Sequence, residues 1–448
     1  MAINTSPPSQ NKFCPTSLYQ SEAKIKEEPI NYEESLRFIL SLDKFGSRPG
    51  LDRVKKLFRT VPEVLGQSFI HVAGTNGKGS VCAMLSSVLQ QAGYKVGLFT
   101  SPYIVDFRER IQINNQMIDK ETLAEAVTFL EPKLRKLNDQ GTVITEFEFI
   151  TVLSFYLFKK LACDIVVCEV GMGGLLDSTN LIPFPLCSVI TRIDLDHTAI
   201  LGETVEAVAF QKAGIIKSYG TTVTAPQPRE AFAVIEDKAR QEHNTLYRAE
   251  DIRLTVTEMD RDGTRFIYRD MPMCLPLLGS HQIDNLRCAL AVIEVLQKEH
   301  GKQITMESIR DGLRHTHHPA RFEKLRENPT VILDGAHNPN GLQAFATAVR
   351  TYYAEGDKTL IIGILADKDS SSLSLLDGLF KRVIVTDIDN PRALPAAELA
   401  RKLGGVSDDI EVIENPCEAY DKALSYGDDI FVCGSLYLAA ELRPYALK

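Results

Sequence analysis

Residues 68–101, SFIHVAGTNGKGSVCAMLSSVLQQAGYKVGLFTS, decide the fold. Phe69, Ile70 and Val72 form a short apolar run that stops at Gly74-Thr75-Asn76-Gly77. After Ser80, Val81, Met84, Leu85, Val88 and Leu89 recur at helical spacing until Gly93, placed to cap the helix. The order is strand, glycine-rich loop, helix, second strand. A helix that starts at Gly77-Lys78-Gly79-Ser80 offers unpaired N–H groups and the positive end of its dipole, with a lysine alongside, which suits phosphate. Ser80 can offer its hydroxyl to magnesium. The loop departs from the general phosphate-loop pattern at Val72, where a glycine is usual, and at Gly79, where the hydroxyl residue would follow the lysine. A solvated glycine turn is the alternative, and the flanking strand and amphipathic helix favour the cradle.

The 448 residues exceed one ordinary core, so two domains are expected. Hydrophobic content of 44% with 24% charged residues belongs to a globular chain, and a net charge of −9 argues against a general nucleic-acid binder. Anionic ligands must then be met by local features such as Lys78 and helix N-termini. The nine cysteines contain no CxxC pair. Cys168 and Cys433 sit inside apolar runs, as buried thiols of a reduced compartment do. The N-terminus has no apolar core of signal-peptide type, and no run reaches the ~20 apolar residues that span a bilayer. The expected location is cytoplasmic, with no membrane partner.

Residues 1–30 read as a flexible tail. Helices follow around Tyr32–Leu42 and after a turn at Pro49-Gly50, and again over ETLAEAVTFLEPKLRKL and FEFITVLSFYLFKKL. DIVVCEVGMGG is a buried strand with Glu169 at its carboxyl end, and CSVITRIDLDHTAILG repeats the design with Asp194, Asp196 and His197. In open α/β sheets such ends face a common site. TVEAVAFQKAGIIK predicts a helix with Lys212 near its middle. Residues 221–275 alternate, with a hairpin turn at Asp262-Gly263, and HQIDNLRCALAVIEVLQKEHG is a helix closed by glycine. Pro319, after the loop histidines His317 and His318, marks a boundary between residues 31–316 and 317–448. Beyond it, TVILDGAHNP, TLIIGILADKD, RVIVTDID and DIFVCGSLYL are four strands of a smaller α/β domain.

HVAGTNGKGS, TSPYIVDFRERIQIN, TEFEF, EVGMGGLLDSTN, DLDHTAILG, KAGIIK, GSHQIDN, HPARFE, LDGAHNPNG, ADKD and GSLYL occur in the order seen in the Mur-ligase-like amide synthetases. More specifically, the chain resembles the folylpolyglutamate synthase and dihydrofolate synthase family from about residue 32 to its end. The resemblance implies a phosphate-loop ATP-binding domain with a mostly parallel sheet, followed by a smaller Rossmann-like α/β domain. It also implies ATP-dependent joining of L-glutamate to a pteroyl or folyl carboxylate, such as dihydropteroate or a reduced folate, through an acyl phosphate. A bifunctional enzyme acting as a monomer is expected; a monofunctional member of either kind remains open, and a phosphate-loop kinase or ATPase is the rival from another class.

The resemblance further implies roles. Thr75, Asn76, Gly77, Lys78, Gly79 and Ser80 would cradle ATP, with Asn285 at the adenine, Arg321 at the phosphates and Asp334 at the nucleotide. One magnesium would sit among Ser80, Ser101 and Glu169, and a second among Glu169, His197 and a carbamylated Lys212. Lys78, Glu169, His197 and Lys212 would form the catalytic set, and Thr145, Phe147, His337 and Ser435 would border the substrates. The chain departs from the family pattern at Tyr103, where histidine is common, and at Ala320, where glycine is usual and alanine resists a positive φ.

Overall fold

The computed structural model describes residues 30–43, 50–64, 66–366 and 370–448. The expected tail up to residue 29, Pro49 of the expected turn and Asp367–Asp369 of ADKD lie outside them.

The quoted segment folds as read. Strand β1 (Phe69–Ala73) runs into the loop, and the helix Lys78–Gln91 leads to β2 (Val96–Phe99). Gly77 starts that helix in a left-handed conformation with no side-chain cap, so its first-turn N–H groups are left for a ligand. Further strands are β3 (Ile111–Ile113), β4 (Gln116–Met117), β5 (Ile165–Glu169), β6 (Cys187–Ile190), β7 (Thr221–Thr224) and β8 (Thr245–Arg248). They form one sheet in the order β4-β3-β2-β5-β1-β6-β7-β8. It is parallel except at β3 and β4. β1 lies between β5 and β6, so the glycine loop, Glu169 and the Thr191–His197 segment all leave neighbouring carboxyl ends.

Both faces are covered, which is why β1, β2, β5 and β6 are buried throughout instead of alternating. On one face Val81, Leu85, Val88 and Leu89 pack with Leu286, Leu290 and Ile293 of the helix His281–His300. On the other, Phe149, Leu153 and Phe155 of the helix Glu146–Lys160 pack beneath Phe69 and Phe99. An antiparallel sheet of β9 (Thr255–Asp260), β10 (Gly263–Tyr268) and β11 (Met271–Leu275) follows, its first hairpin turning at the expected place before Gly263, φ +140°.

Three expectations need correction. The stretch 221–275 is not alternating throughout: Arg229–Gln241 is a helix that buries Ala231, Ile235 and Ala239 at four-residue spacing. Lys212 lies in the last turn of the helix Val205–Ala213, not near its middle, because the helix ends at Gly214, which packs closely against Leu175. The C-terminal sheet has six strands rather than four: β12 (Glu323–Glu327), β13 (Thr330–Leu333), β14 (Lys358–Ile362), β15 (Arg382–Val385), β16 (Asp409–Val412) and β17 (Asp429–Cys433). Their order is β12-β13-β17-β14-β15-β16, with β12 antiparallel. The two missed strands are the edges, whose charged side chains face water and mask the pattern. β1–β11 precede residue 317 and β12–β17 follow it.

Candidate active site

A cleft of about 310 Å³ opens between the carboxyl edge of the larger sheet and, from the smaller domain, the segment 317–321 and the last helix, Leu436–Ala446. Gly79, Ser101 and Glu169 line it from one side, and His317, His318, Arg321 and Arg443 from the other. Residues far apart in the chain thus meet over the glycine loop.

Several side chains stand where the loop's glycines leave room. A Cβ at Gly74 would lie 1.8 Å from Thr191 Oγ1, one at Gly77 2.1 Å from Asn285 Oδ1, and one at Gly79 2.3 Å from His318 Nε2. The loop is pinned from behind: Thr75 Oγ1 donates to the Asp194 carbonyl and accepts from Asp194 N–H, at 2.9 and 3.0 Å. Asn285 Nδ2 donates to Gln282 Oε1 at 2.9 Å, and Gln282 Nε2 donates to Ser80 Oγ at 3.3 Å. The first turn of the helix His281–His300 is therefore wired to the phosphate loop, and Asn285 lies against Gly77.

Two amines share one carbonyl. Lys78 Nζ donates to the carbonyls of Gly74 at 3.1 Å and Thr75 at 3.2 Å, and Lys212 Nζ donates to the same Gly74 oxygen at 2.8 Å. Lys212 is 4% exposed, and burial, with the positive charge of Lys78 nearby, pushes its pKa down to about 7. Glu169 is also buried, which raises its pKa; Lys78, a 3.2 Å hydrogen bond from Ser101 N–H, and Arg321 and Arg110 work in the opposite direction. Arg110 is itself held above the ring of Tyr103, 5.1 Å from its centroid, and its Nε has no hydrogen-bond partner among the described residues.

The loop histidines are site residues that sequence reasoning missed. His317 Nε2 is 3.4 Å from Glu323 Oε1, and half-buried His318 seats its ring against Gly79. Burial, reinforced by Arg321, drives the His318 pKa down to about 3. No spacing in the chain announces this contact, because it forms between domains. Among the described residues no hydrogen bond or ion pair engages the Arg321 guanidinium, whose charge acts on both Glu169 and Asp334.

Other expected site residues have structural duties. Asp334 accepts from Phe322 N–H and Ala336 N–H, both at 2.7 Å, and burial raises its pKa. Thr145 and Glu148 form a capping box at the start of the helix Glu146–Lys160, and Ser435 caps the helix Leu436–Ala446 through Tyr437 N–H at 3.0 Å. Phe147 lies under Gly171, whose Cβ would come within 2.5 Å of its ring. His337 Nδ1 is 2.7 Å from the Gly335 carbonyl. His197 is a left-handed residue at φ +50° opening the short helix Thr198–Leu201, half-exposed with Nε2 3.8 Å from Asp196 Oδ2. Ala320 does adopt the conformation that glycine would favour, at φ +52°.

A buried carboxylate bonded to Ser101 N–H, together with the hydroxyl of Ser80 in the first turn of the loop helix, offers hard oxygen donors of the kind magnesium takes. Among the described residues no group of three or more His, Cys, Asp or Glu is gathered where it could hold a metal ion. An ammonium at Lys212 has no lone pair with which to ligate a cation.

Comparison with known proteins agrees with this geometry. The Mur ligase middle domain matches residues 72–293, and the Mur ligase glutamate ligase domain matches residues 320–436. The class is therefore that of Mur-type ATP-dependent ligases. Folylpolyglutamate synthase of Lacticaseibacillus casei is 36% identical over 433 residues, 93% of this chain and 99% of the relative. Dihydrofolate synthase/folylpolyglutamate synthase of Bacillus subtilis is 35% identical over 428 residues, 92% of this chain and 98% of the relative. The solved structure of Mycobacterium tuberculosis folylpolyglutamate synthase complexed with ADP and AMPPCP superposes with a TM-score of 0.84 at 29% identity, covering 93% of this chain and 99% of that one. The chain belongs to the folylpolyglutamate synthase/dihydrofolate synthase family and is an enzyme of the ATP-dependent acid–amino-acid ligase type. No helix among the described residues is long and apolar enough to cross a membrane.

Proposed function

We propose that the cleft joins L-glutamate both to dihydropteroate and to reduced folates, and that the chain divides at residue 317 into a nucleotide-binding domain and a glutamate-ligase domain acting together as a cytoplasmic monomer. The observation that carries the reading is the juxtaposition, in one cleft, of an uncapped phosphate-loop helix, the Ser101–Glu169 pair and Arg321 from the other side.

In the first step a carboxylate must approach a triphosphate, so like charges have to be neutralised. Lys78 and the N–H groups of residues 75–80 hold the phosphates, with Lys78 leaving the Gly74 carbonyl to do so. Arg321, whose guanidinium has no hydrogen bond or ion pair among the described residues, reaches the transferring phosphoryl group. Asn285 and Asp334 flank the nucleotide. Ser80, Ser101 and Glu169 would hold magnesium, which when bound supplies positive charge to the phosphate oxygens. The substrate carboxylate becomes an acyl phosphate with release of ADP; the amine of glutamate then attacks the carbonyl, and phosphate leaves. Phe147 offers the pteroyl group a flat apolar face. His337 and Ser435 are the residues we assign to the glutamate side. Lys212, with its lowered pKa, is neutral often enough to take up carbon dioxide, and the resulting carbamate would give Glu169 and His197 an anionic partner for a second magnesium.

Dihydropteroate and tetrahydrofolate, supplied separately with ATP and glutamate, should each yield a product one glutamyl unit heavier by mass spectrometry. Failure of one substrate would make the enzyme monofunctional, and ADP release independent of glutamate would favour a kinase or ATPase. Small-angle scattering should show a more compact particle with an ATP analogue plus folate; unchanged dimensions would count against domain closure. Carbon-13 bicarbonate should give a carbamate resonance that is lost in Lys212→Gln.

A further inference from the structure

We propose that His318 is a positioning residue: a strut that rests on Gly79 and thereby fixes the height at which Arg321 hangs over the phosphate loop. The inference rests on the assignment of Arg321 to the nucleotide phosphates.

The segment 317–323 is fastened at several points to its own domain. Ala320 N–H donates to Glu323 Oε2 at 2.9 Å, and the Ala320 carbonyl accepts from Gly335 N–H at 2.9 Å. Phe322 N–H donates to Asp334, and Glu323 is held by Arg443 through Nε at 2.9 Å and Nη2 at 2.8 Å. Ala320 and Phe322 both adopt left-handed conformations, at φ +52° and +46°, which turns the segment sharply between His318 and Arg321. Two points of this turn face the larger domain. One is the Arg321 side chain, which lines the cleft with no hydrogen bond or ion pair among the described residues. The other is the His318 ring, which fills the volume that a side chain at residue 79 would occupy. His318 Nδ1 lies 3.2 Å from the Pro319 carbonyl, which can only accept, so Nδ1 carries the proton and Nε2 presents a bare edge to Gly79. That edge is a poor phosphate ligand and a good spacer. With Gly79 at the second position of the loop helix, the strut sets the distance between Arg321 and the phosphates on a rigid reference.

The test is a double-mutant cycle read by initial rates with ATP varied. His318→Ala should lower kcat/KM for ATP by roughly ten- to a hundredfold, the scale of a misplacement of about 1 Å, and should lose that effect in an Arg321→Ala background. His318→Gln, which keeps the reach of the side chain, should retain most of the activity. Gly79→Ala, whose methyl would displace the ring, should reproduce the loss and add little to His318→Ala. Additive losses in the cycle, an unimpaired His318→Ala, or an inactive His318→Gln that melts like the native enzyme would each overturn the proposal. If Arg321→Ala leaves kcat/KM for ATP unchanged, the assignment of Arg321 fails instead, so the two failures are distinguishable.

Discussion

Replacing Lys212 by methionine should stabilise the protein while abolishing ligation. Lys212 is nearly fully buried, and its pKa is displaced from 10.5 to about 7 with burial as the chief cause. The unfolded chain therefore holds its proton up to about pH 10.5, whereas the folded chain sheds it near pH 7. At about 1.36 kcal/mol per pH unit, the displacement amounts to about 5 kcal/mol of folding stability withheld below pH 7. Because the folded pKa is the lower one, that penalty is complete below about pH 7, shrinks as pH rises, and is gone above about pH 10.5. Methionine fills a similar volume without a charge but loses the 2.8 Å hydrogen bond to the Gly74 carbonyl. That loss and imperfect repacking leave a net gain of about 2–3 kcal/mol near neutrality. Urea unfolding in carbon dioxide-free buffer at about pH 6.5, 8 and 9.5 measures it. The native protein should gain stability across the series, and the advantage of Lys212→Met should shrink by pH 8 and reverse to a deficit of about 1 kcal/mol at pH 9.5, where only about 1.4 kcal/mol of the penalty remains. A variant less stable than the native protein at pH 6.5, or an advantage that does not change with pH, would refute the reasoning.

Other outcomes can be checked alongside. Glu169→Gln should bind ATP but lower kcat for ligation by at least about a hundredfold, since the amide keeps the shape without the charge; calorimetry and product assays separate the two. Gly171→Ala puts a methyl 2.5 Å from the Phe147 ring and should raise KM for the pteroyl substrate more than KM for ATP, as steady-state kinetics would report. Glu323→Ala leaves Arg443 without its bidentate partner and should cost about 3 kcal/mol in chemical unfolding. In Ala320→Gly, relief of left-handed strain and loss of a buried methyl oppose each other, so stability should move by less than about 1 kcal/mol.

Much of this was legible in the chain. The β1–loop–helix unit, Glu169 at the end of β5 and the glycine-closed helix His281–His300 are written in local periodicity, where burial on both faces or one face leaves a regular trace. The capping duty of Thr145, a residue expected only at the substrate border, is written in Thr-Glu-Phe-Glu, the reciprocal box that starts a helix, and went unread. The edge strands β12 and β16 were not legible, because strands that face water carry charges. The contact between His318 and Gly79 joins residues 239 positions apart in the sequence, and no local rule reaches that far. Arg110, buried against Tyr103 with an unpaired Nε, likewise depends on the packing of elements that meet only in the folded chain.

The glycines of the site are filled from outside: Thr191 stands at Gly74, Asn285 at Gly77, His318 at Gly79 and Phe147 at Gly171. Each pair acts as a lock whose key is cut elsewhere in the chain. Any related sequence that carries a side chain at one of these glycines must carry a smaller residue at the matching position, or else move a whole element. The phosphate loop's history is thus tied to three distant residues and that of Gly171 to a fourth, and paired change, rather than change at either position alone, is the signature to look for.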